Sequence, residues 1–168
     1  MKIAVISDIH DNIENLEKCL KWCNTKKIKL LICCGDIAAE DTLNYLATFS
    51  GKILIAAGNA ELFAEDILKK YPRIKYYKSE GKIKINKLNI GFCHETKKIK
   101  NLLDQSSDLT QTPFDFIFYG HTHKPWIEKK DKVIIANPGN IAGLFYQATF
   151  ATLDTSIKKL ELHLLASL

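Results

Sequence analysis

Lys-Ile-Ala-Val-Ile-Ser stands at residues 2–7, and Asp8-Ile9-His10 follows it directly. The run at 2–7 is short, mostly apolar and β-rich, which is typical of a parallel strand covered on both faces. Apolar side chains then recur at helical spacing, at Ile13, Leu16, Cys19, Leu20 and Cys23. Asp11 followed by Glu14 resembles a capping box at the start of that helix. The segment therefore predicts a strand, a polar turn and a helix in series.

The same succession of strand and helix signals repeats along the first part of the chain. Apolar runs at 28–34 and 52–57 each end at a glycine, and segments 40–49 and 61–70 have helical patterning. Strand, helix and strand in series favour right-handed βαβ units, because parallel strands need a crossover connection. This part of the chain therefore predicts a parallel sheet.

Strand signals dominate the remainder of the chain, with one further helix predicted at 96–105. Segment 82–85 alternates apolar and charged residues, so it predicts a strand with one wet face. Further strands are predicted at 88–94, 114–119, 126–129, 132–136, 147–153 and 159–166. We expect residues 1–168 to form a single α/β domain that contains a mixed sheet or two stacked sheets.

The charge pattern argues against a dedicated nucleic-acid-binding protein. The net charge is +5, but Arg73 is the only arginine and the lysines are spread along the chain. Sites for nucleic acid or planar anions usually use arginine, because its guanidinium binds phosphate bidentately. We therefore expect no dedicated nucleic-acid binding, and the sequence leaves homo-oligomer formation open.

The five cysteines are odd in number and form no C-x-x-C pair, which favours free thiols and a reducing compartment. Asp8 interrupts the first apolar run too early for a signal peptide. No apolar run approaches the ~20 residues that a membrane helix needs. We therefore expect a cytoplasmic protein without a membrane partner.

Seven side chains with metal-donor atoms follow the predicted strands at their carboxyl ends. They are Asp8, His10, Asp36, Asn59, His94, His121 and His123. Ligands of open α/β sheets bind outside the carboxyl ends of the strands, so neighbouring strands would bring these side chains to one edge. Carboxylate, imidazole and amide donors without thiolate suit manganese, iron, zinc or similar ions.

Each of these motifs alone has a simpler explanation. Gly-Asp and Gly-Asn are common turn dipeptides, and His94 alone is equally typical of a buried core histidine. An extended Asp8-Ile9-His10 segment would direct the Asp8 and His10 side chains to the same face. The ordered set, with every member at a strand end, favours a joint metal site over coincidence.

In order, the motifs resemble the signature of the calcineurin-like metallophosphoesterases, which is D-x-H, G-D, G-N-x-[DEH], a lone His and G-H-x-H. They stand here as Asp8-Ile9-His10, Gly35-Asp36, Gly58-Asn59-Ala60-Glu61, His94 and Gly120-His121-Thr122-His123. The short chain and its Asn137-Pro138-Gly139 segment are most similar to the small YfcE-like phosphodiesterases of bacteria and archaea. The resemblance implies an α-β-β-α sandwich of two mixed sheets flanked by helices.

The resemblance also implies a ligand set for two divalent metal ions. One ion would be held by Asp8, His10, Asp36 and His123, and the second by Asp36, Asn59, His94 and His121. Asp36 would bridge the two ions, and Asn59 and His94 would also contact the phosphate as catalytic residues. Manganese is the expected metal, with nickel, iron or zinc as alternatives.

One position departs from the pattern of many relatives. They place a histidine directly after the asparagine, where it can protonate the leaving group, whereas this chain has Ala60 after Asn59. YfcE-like relatives also lack that histidine. Glu61 is nearby, but the sequence alone does not assign it as the acid. Efficient attack on esters with poor leaving groups is therefore not expected.

The reaction predicted for this site is hydrolysis of a phosphate ester by a metal-bridging hydroxide. Two dications, two carboxylates and one hydroxide leave a net charge of about +1, which favours an anionic phosphate. We predict a metal-dependent phosphodiesterase that acts on a small phosphate ester. A phosphomonoesterase on the same site and a non-catalytic binding scaffold of the same fold stay as alternatives.

Three further motifs are explained first by packing or by turns. Tyr71, Tyr76 and Tyr77 are expected to pack on a surface strand, with a base-stacking rim as the functional alternative. Residues 137–140 predict a turn, or a loop that walls the metal site. His163 lies in an alternating strand and is expected to face solvent.

Overall fold

Two β-sheets and three α-helices make up the fold in the computed structural model, which describes residues 1–107 and 113–168. The strands are β1 (Lys2–Ile6), β2 (Leu30–Cys33), β3 (Lys52–Ala56), β4 (Ile74–Tyr77), β5 (Gly81–Ile85), β6 (Leu88–Phe92), β7 (Phe116–Phe118), β8 (Trp126–Lys130), β9 (Val133–Asn137), β10 (Thr149–Asp154) and β11 (Lys159–Leu164). The α-helices are α1 (Ile13–Thr25), α2 (Glu40–Leu46) and α3 (Lys97–Ser107), with 3₁₀ helices at Glu65–Lys70 and Leu165–Ser167.

The first sheet has the strand order β11-β10-β1-β2-β3-β4, and the second has the order β5-β6-β7-β9-β8. Strands β1 to β3 are parallel, as the βαβ pattern predicts, and β4 adds a further parallel strand beside β3. Strands β10 and β11 extend the sheet in antiparallel fashion. In the second sheet β6, β7 and β9 are parallel, while β5 and β8 pair antiparallel at its two edges. Both sheets are therefore mixed.

Three apolar clusters hold the layers together. The cluster between the sheets includes Val5 and Ile32 from the first sheet and Phe92 and Phe118 from the second. A second cluster joins the outer face of the first sheet to α1 and α2, and a third joins α3 to the outer face of the second sheet. Burial of apolar area drives this packing at roughly 25 cal/mol per Å². The α-β-β-α sandwich expected from the sequence is confirmed.

The start of α1 differs from the predicted capping box. Its N-cap is Asn12, whose side chain accepts a hydrogen bond from the Asn15 N–H at 3.0 Å. Asp11 instead accepts a hydrogen bond from the Ala39 N–H at 2.9 Å, next to the start of α2. The capping box at Asp11 and Glu14 was wrong because a tertiary partner takes up the Asp11 carboxylate.

The helix predicted at 61–70 is shorter and tighter than the sequence indicates. Only Glu65–Lys70 is helical, and it is a 3₁₀ helix. The preceding residues are held by other partners, since the Leu62 N–H donates to the Ala38 carbonyl and the Glu61 carboxylate accepts backbone bonds. Helix α2 likewise ends at Leu46 rather than at residue 49.

Of two predictions about aromatic rings, one agrees with the structure and the other does not. Tyr76 and Tyr77 are half-buried. Tyr76 packs against the cluster between the first sheet and helices α1 and α2, and Tyr77 packs against the cluster between the sheets, as expected for ordinary packing. His163 was expected to face solvent, and this prediction was wrong. Its ring stacks on Phe150 at 4.9 Å between centroids and lies 4.7 Å from the Trp22 ring.

Within residues 1–107 and 113–168, the chain contains no helix that is both long and apolar enough to cross a membrane.

Candidate metal centre

All seven predicted donor side chains lie together at the carboxyl edge of the two sheets. The first sheet supplies the residues after β1, β2 and β3, and the second supplies those after β6 and β7. Asp8, Asp36, His94 and His123 are buried, His10 is half-buried, and Asn59 and His121 are exposed. The cluster is therefore embedded on one side and open to solvent at Asn59 and His121.

The first group of donors surrounds Asp8. His123 Nε2 lies 3.4 Å from Asp8 Oδ1 and 3.2 Å from His10 Nε2. His10 Nε2 lies 3.9 Å from Asp8 Oδ1 and 3.5 Å from Asp36 Oδ2. The donor atoms of Asp8, His10 and His123 all lie within 4.8 Å of one another, a spacing at which they could hold a metal ion.

The second group adjoins the first through Asp36. His94 Nε2 lies 3.3 Å from Asp36 Oδ2 and 2.9 Å from Asn59 Oδ1. His121 Nδ1 lies 3.0 Å from Asn59 Oδ1 and 3.3 Å from His94 Nε2. Asp36 Oδ2 is thus within 3.5 Å of a histidine from each group.

The backbone at these donors is left-handed rather than extended. Five of the seven have a positive φ, namely Asp8 (53°), His10 (43°), Asp36 (56°), His121 (69°) and His123 (59°). Residues other than glycine seldom adopt such angles, and those that do concentrate at functional sites. The extended Asp8-Ile9-His10 segment predicted from the spacing was wrong, although both side chains do reach the site.

Two glycines allow the donor loops to approach closely. A Cβ atom at Gly58 would lie 2.1 Å from Asp36 Oδ1, and one at Gly120 would lie 2.0 Å from Ser7 Oγ. Any side chain at either position would push apart the loops that carry the donors.

The ring of His94 is oriented by a backbone carbonyl. His94 Nδ1 lies 2.7 Å from the Cys34 carbonyl oxygen, which can only accept, so Nδ1 carries the hydrogen. In the neutral ring, Nε2 then presents a lone pair to Asp36 Oδ2 and Asn59 Oδ1. Lone pairs that face one another at such distances require a proton or a cation between them.

The charges of the cluster also favour a cation among these side chains. Within the described ranges, the cationic side chains in ion-pair range of the buried carboxylates of Asp8 and Asp36 are all histidines. Burial raises the pKa of Asp8 above its ordinary value. Burial would also raise the pKa of Asp36, but the hydrogen bond and charge of His94, with the Ala60 N–H, bring it to about 2.

The pKa of His94 is raised, whereas that of Asp36 is lowered. Burial alone would lower the pKa of His94, but the hydrogen bond and charge of Asp36 outweigh burial and raise it. In addition, His123 Nδ1 is buried without a hydrogen-bond partner among the described residues. Buried carboxylates are normally paired or bound to metal, and this donor set therefore fits divalent cations.

Glu61 holds two donor loops together. Its Oε2 accepts hydrogen bonds from the N–H groups of Ile37 (3.0 Å) and Ala38 (3.2 Å), and its Oε1 accepts one from Gly58 (3.1 Å). Since both carboxylate oxygens are engaged by backbone donors, Glu61 positions the loops that carry Asp36 and Asn59. The sequence left its role open, because the partner residues are up to 24 positions away.

The segment at 137–140 braces the last donor loop, the one that carries His121 and His123. Asn137 Nδ2 donates to the Gly120 carbonyl at 2.8 Å, and Asn140 Nδ2 donates to the His123 carbonyl at 3.0 Å. Both asparagines are buried. The sequence indicated a loop beside the site but not these two positioning side chains.

The sandwich and its carboxyl-edge donor cluster are the architecture of a metal-dependent phosphoesterase. The family model described as the calcineurin-like phosphoesterase superfamily domain matches residues 1–158, and the chain belongs to this superfamily. The resemblance noted from the motifs is confirmed.

Similar proteins support the same placement. A curated phosphodiesterase of Methanocaldococcus jannaschii is 26% identical over 163 residues, which cover 95% of this chain and 96% of that protein. A solved structure described as a novel archaeal phosphodiesterase is 25% identical, has a TM-score of 0.84, and is matched over 98% of this chain and 99% of its own.

More distant structures share the fold alone. YfcE, a phosphoesterase from E. coli, has a TM-score of 0.70 at 16% identity and covers 98% of this chain and 100% of its own. Vps29 from Entamoeba histolytica, solved with zinc, has a TM-score of 0.70 at 19% identity and covers 96% of this chain and 90% of its own.

Proposed function

We propose that this protein is a phosphodiesterase that uses two divalent metal ions, with manganese the foremost candidate. The observation that carries the proposal is the position of Asp36 between two donor groups. Its Oδ1 accepts a hydrogen bond from the Ala60 N–H at 2.9 Å, which turns Oδ2 toward both histidines. A carboxylate so placed is suited to bridge two cations.

The proposed ligands are the seven donors divided as the family pattern implies. Asp8, His10, Asp36 and His123 would hold one ion, and Asp36, Asn59, His94 and His121 the other. When bound, such ions lower the pKa of coordinated water so that hydroxide is available near neutral pH, and they offset charge on the phosphate. The buried side of the cluster excludes water, while the exposed side at Asn59 and His121 admits the ester.

Asn59 and His94 are the residues proposed to act on the phosphate, Asn59 by direct contact and His94 through the ion that it would hold. Asn59 is exposed and close to both His94 and His121, so its amide can reach a phosphate oxygen that enters from solvent. His94 faces the site only through Nε2, because its Nδ1 hydrogen is bonded to the Cys34 carbonyl, so with Nε2 on an ion it would act on the phosphate through that ion. The fixed ring orientation supports a role in positioning the reacting phosphate.

The chain offers no proton donor at residue 60. Ala60 contributes only its backbone N–H, and the Glu61 carboxylate is occupied by three backbone donors. We therefore propose that the preferred esters have leaving groups that depart without strong protonation. The diester assignment rests on the curated relative and the archaeal structure, both described as phosphodiesterases.

A direct test compares a diester and a monoester with the same activated leaving group. Chelated protein is reloaded with Mn²⁺, Ni²⁺, Fe²⁺ or Zn²⁺ and assayed with bis(p-nitrophenyl) phosphate and p-nitrophenyl phosphate. We expect metal-dependent hydrolysis, faster for the diester, and two metal equivalents by elemental analysis. Faster monoester hydrolysis would favour a phosphomonoesterase, and inactivity with all four metals would favour a binding scaffold.

The proposed setting is the cytoplasm, with a small phosphate ester as substrate. All five cysteines are buried and unpaired, which supports a reducing compartment. Burial raises the pKa of Cys33 well above its ordinary value and that of Cys93 to about 12, so these thiols are suited to packing rather than to reaction.

A further inference from the structure

An apolar segment lies exposed beside the proposed metal centre. Leu144, Phe145 and Tyr146 expose 47%, 89% and 44% of their surfaces, and Phe145 is the most exposed of the large apolar side chains in the described ranges. Exposure of a whole phenyl ring forgoes the burial that normally stabilises phenylalanine. The packing of the fold therefore does not account for an aromatic residue at this position.

The ring of Phe145 is held next to a proposed metal ligand. Its centroid lies 5.6 Å from that of His123, with the two planes tilted by 54°. Asn140 ties the two segments together, since its Oδ1 accepts from the Leu144 N–H at 2.9 Å and its Nδ2 donates to the His123 carbonyl at 3.0 Å. The backbone next to Phe145 is thus tied to the His123 loop, and the ring lies at the rim of the site.

The backbone at Phe145 is also unusual. Its φ is +64°, a left-handed angle that bulky residues seldom adopt. The neighbouring Gly143, at φ +74°, can take such an angle without strain, but Phe145 cannot. Strained residues that persist near a site are commonly held there for function.

We infer that Phe145 is a specificity-determining residue that stacks against a planar ring carried by the phosphate ester. Bases stack on aromatic side chains through their π-faces, so the ester class would be phosphodiesters with a nucleoside group. The phosphate would lie at the donor cluster and the base on the Phe145 ring. This inference rests on the proposed phosphodiesterase function for its substrate, but the stacking surface can be measured by binding alone.

The test uses two ligands that differ only in the base, thymidylate and 1,2-dideoxyribose 5-phosphate, which has hydrogen in place of the base. Their dissociation constants for the manganese-loaded protein are measured by calorimetry. We expect the wild type to prefer thymidylate and Phe145→Ala to reduce that preference about tenfold. Phe145→Tyr should retain the preference, because it keeps the ring, and Phe145→Leu should lose it.

Ile157→Ala is the matched control, because Ile157 is 68% exposed and lies in the β10–β11 turn, at the opposite edge of the sheet. It should leave the preference unchanged. A wild type without preference, or a Phe145→Ala variant that weakens both ligands equally, would overturn the inference and leave Phe145 as a support for His123. Loss of the phosphodiesterase assignment would instead appear as inactive wild-type protein in the ester assay.

Discussion

The histidines at the carboxyl edge and His163 on the β10–β11 hairpin occupy opposite environments. His94 is buried against Asp36, and that carboxylate raises its pKa although burial acts in the other direction. His163 is half-buried among Trp22 and Phe150, and burial lowers its pKa. The environment of His94 therefore favours the protonated imidazole, and that of His163 favours the neutral one.

The difference comes from what the backbone brings to each ring. At the carboxyl edge, left-handed turns place carboxylates against imidazoles, with His94 Nε2 3.3 Å from Asp36 Oδ2. On the hairpin, His163 lies in a regular strand, pairs across from Phe150, and is within hydrogen-bond distance of the Thr152 hydroxyl at 2.8 Å. In this fold, the buried carboxylate beside His94 makes it a candidate metal ligand, whereas His163 has aromatic rings and a hydroxyl around it.

Removing the shared carboxylate should produce the largest effect. Asp36→Asn is expected to lower metal content at both proposed positions and to reduce diester hydrolysis by at least about 100-fold. Mutation of a residue that only hydrogen-bonds to a metal ligand already lowers metal affinity or activity by about 10–100-fold, and loss of a ligand should cost more. Elemental analysis of the purified variant measures the metal loss directly. Metal content equal to that of the wild type would refute the bridging role. Asp66→Asn, which removes an exposed carboxylate paired with Lys69, is the matched control.

Disturbing Glu61, which holds the two loops that carry Asp36 and Asn59, should have an intermediate effect. In Glu61→Gln, one oxygen becomes an NH₂ group that faces a backbone N–H, so about 1–3 kcal/mol of stability should be lost. The displaced loops should also bind metal about 10–100-fold more weakly. Urea unfolding of the chelated protein and metal titration measure the two effects separately. Glu65→Gln, at an exposed pair with Lys78, should change neither. Unaltered metal affinity in Glu61→Gln would contradict the positioning role.

The smallest effect is expected at His163 and concerns pH. Because the folded-state pKa of His163 is lowered, the unfolded chain binds this proton more readily. Stability should therefore be unaffected by this group above its ordinary pKa of ~6.5 and should decline as pH falls below it. His163→Phe keeps a ring against Phe150 and removes the titration, so its free energy of unfolding should fall less steeply between neutral and mildly acidic pH. Urea unfolding in chelator at each pH makes the comparison, and identical slopes would show that His163 titrates normally.

The sequence anticipated most of the strands and the positions of the seven donor residues at strand ends, because both depend on local pattern. Continuous apolar runs mark the parallel strands, and polar residues such as Asp8 and Asp36 stand where those runs stop. It misjudged the extended Asp8-Ile9-His10 segment, the cap at Asp11 and the exposure of His163. In each case a partner distant in sequence decided the conformation.

What the sequence determined by itself is the order of most strands and helices, the family, and which seven donor side chains follow the strands. These follow from periodicity and from the chemistry of single residues. Only the tertiary structure decided that Glu61 clamps two loops, that Asn140 fixes His123, and that Phe145 stands exposed beside the site. Such roles depend on hydrogen bonds and ring contacts between segments far apart in the chain, which local pattern does not encode.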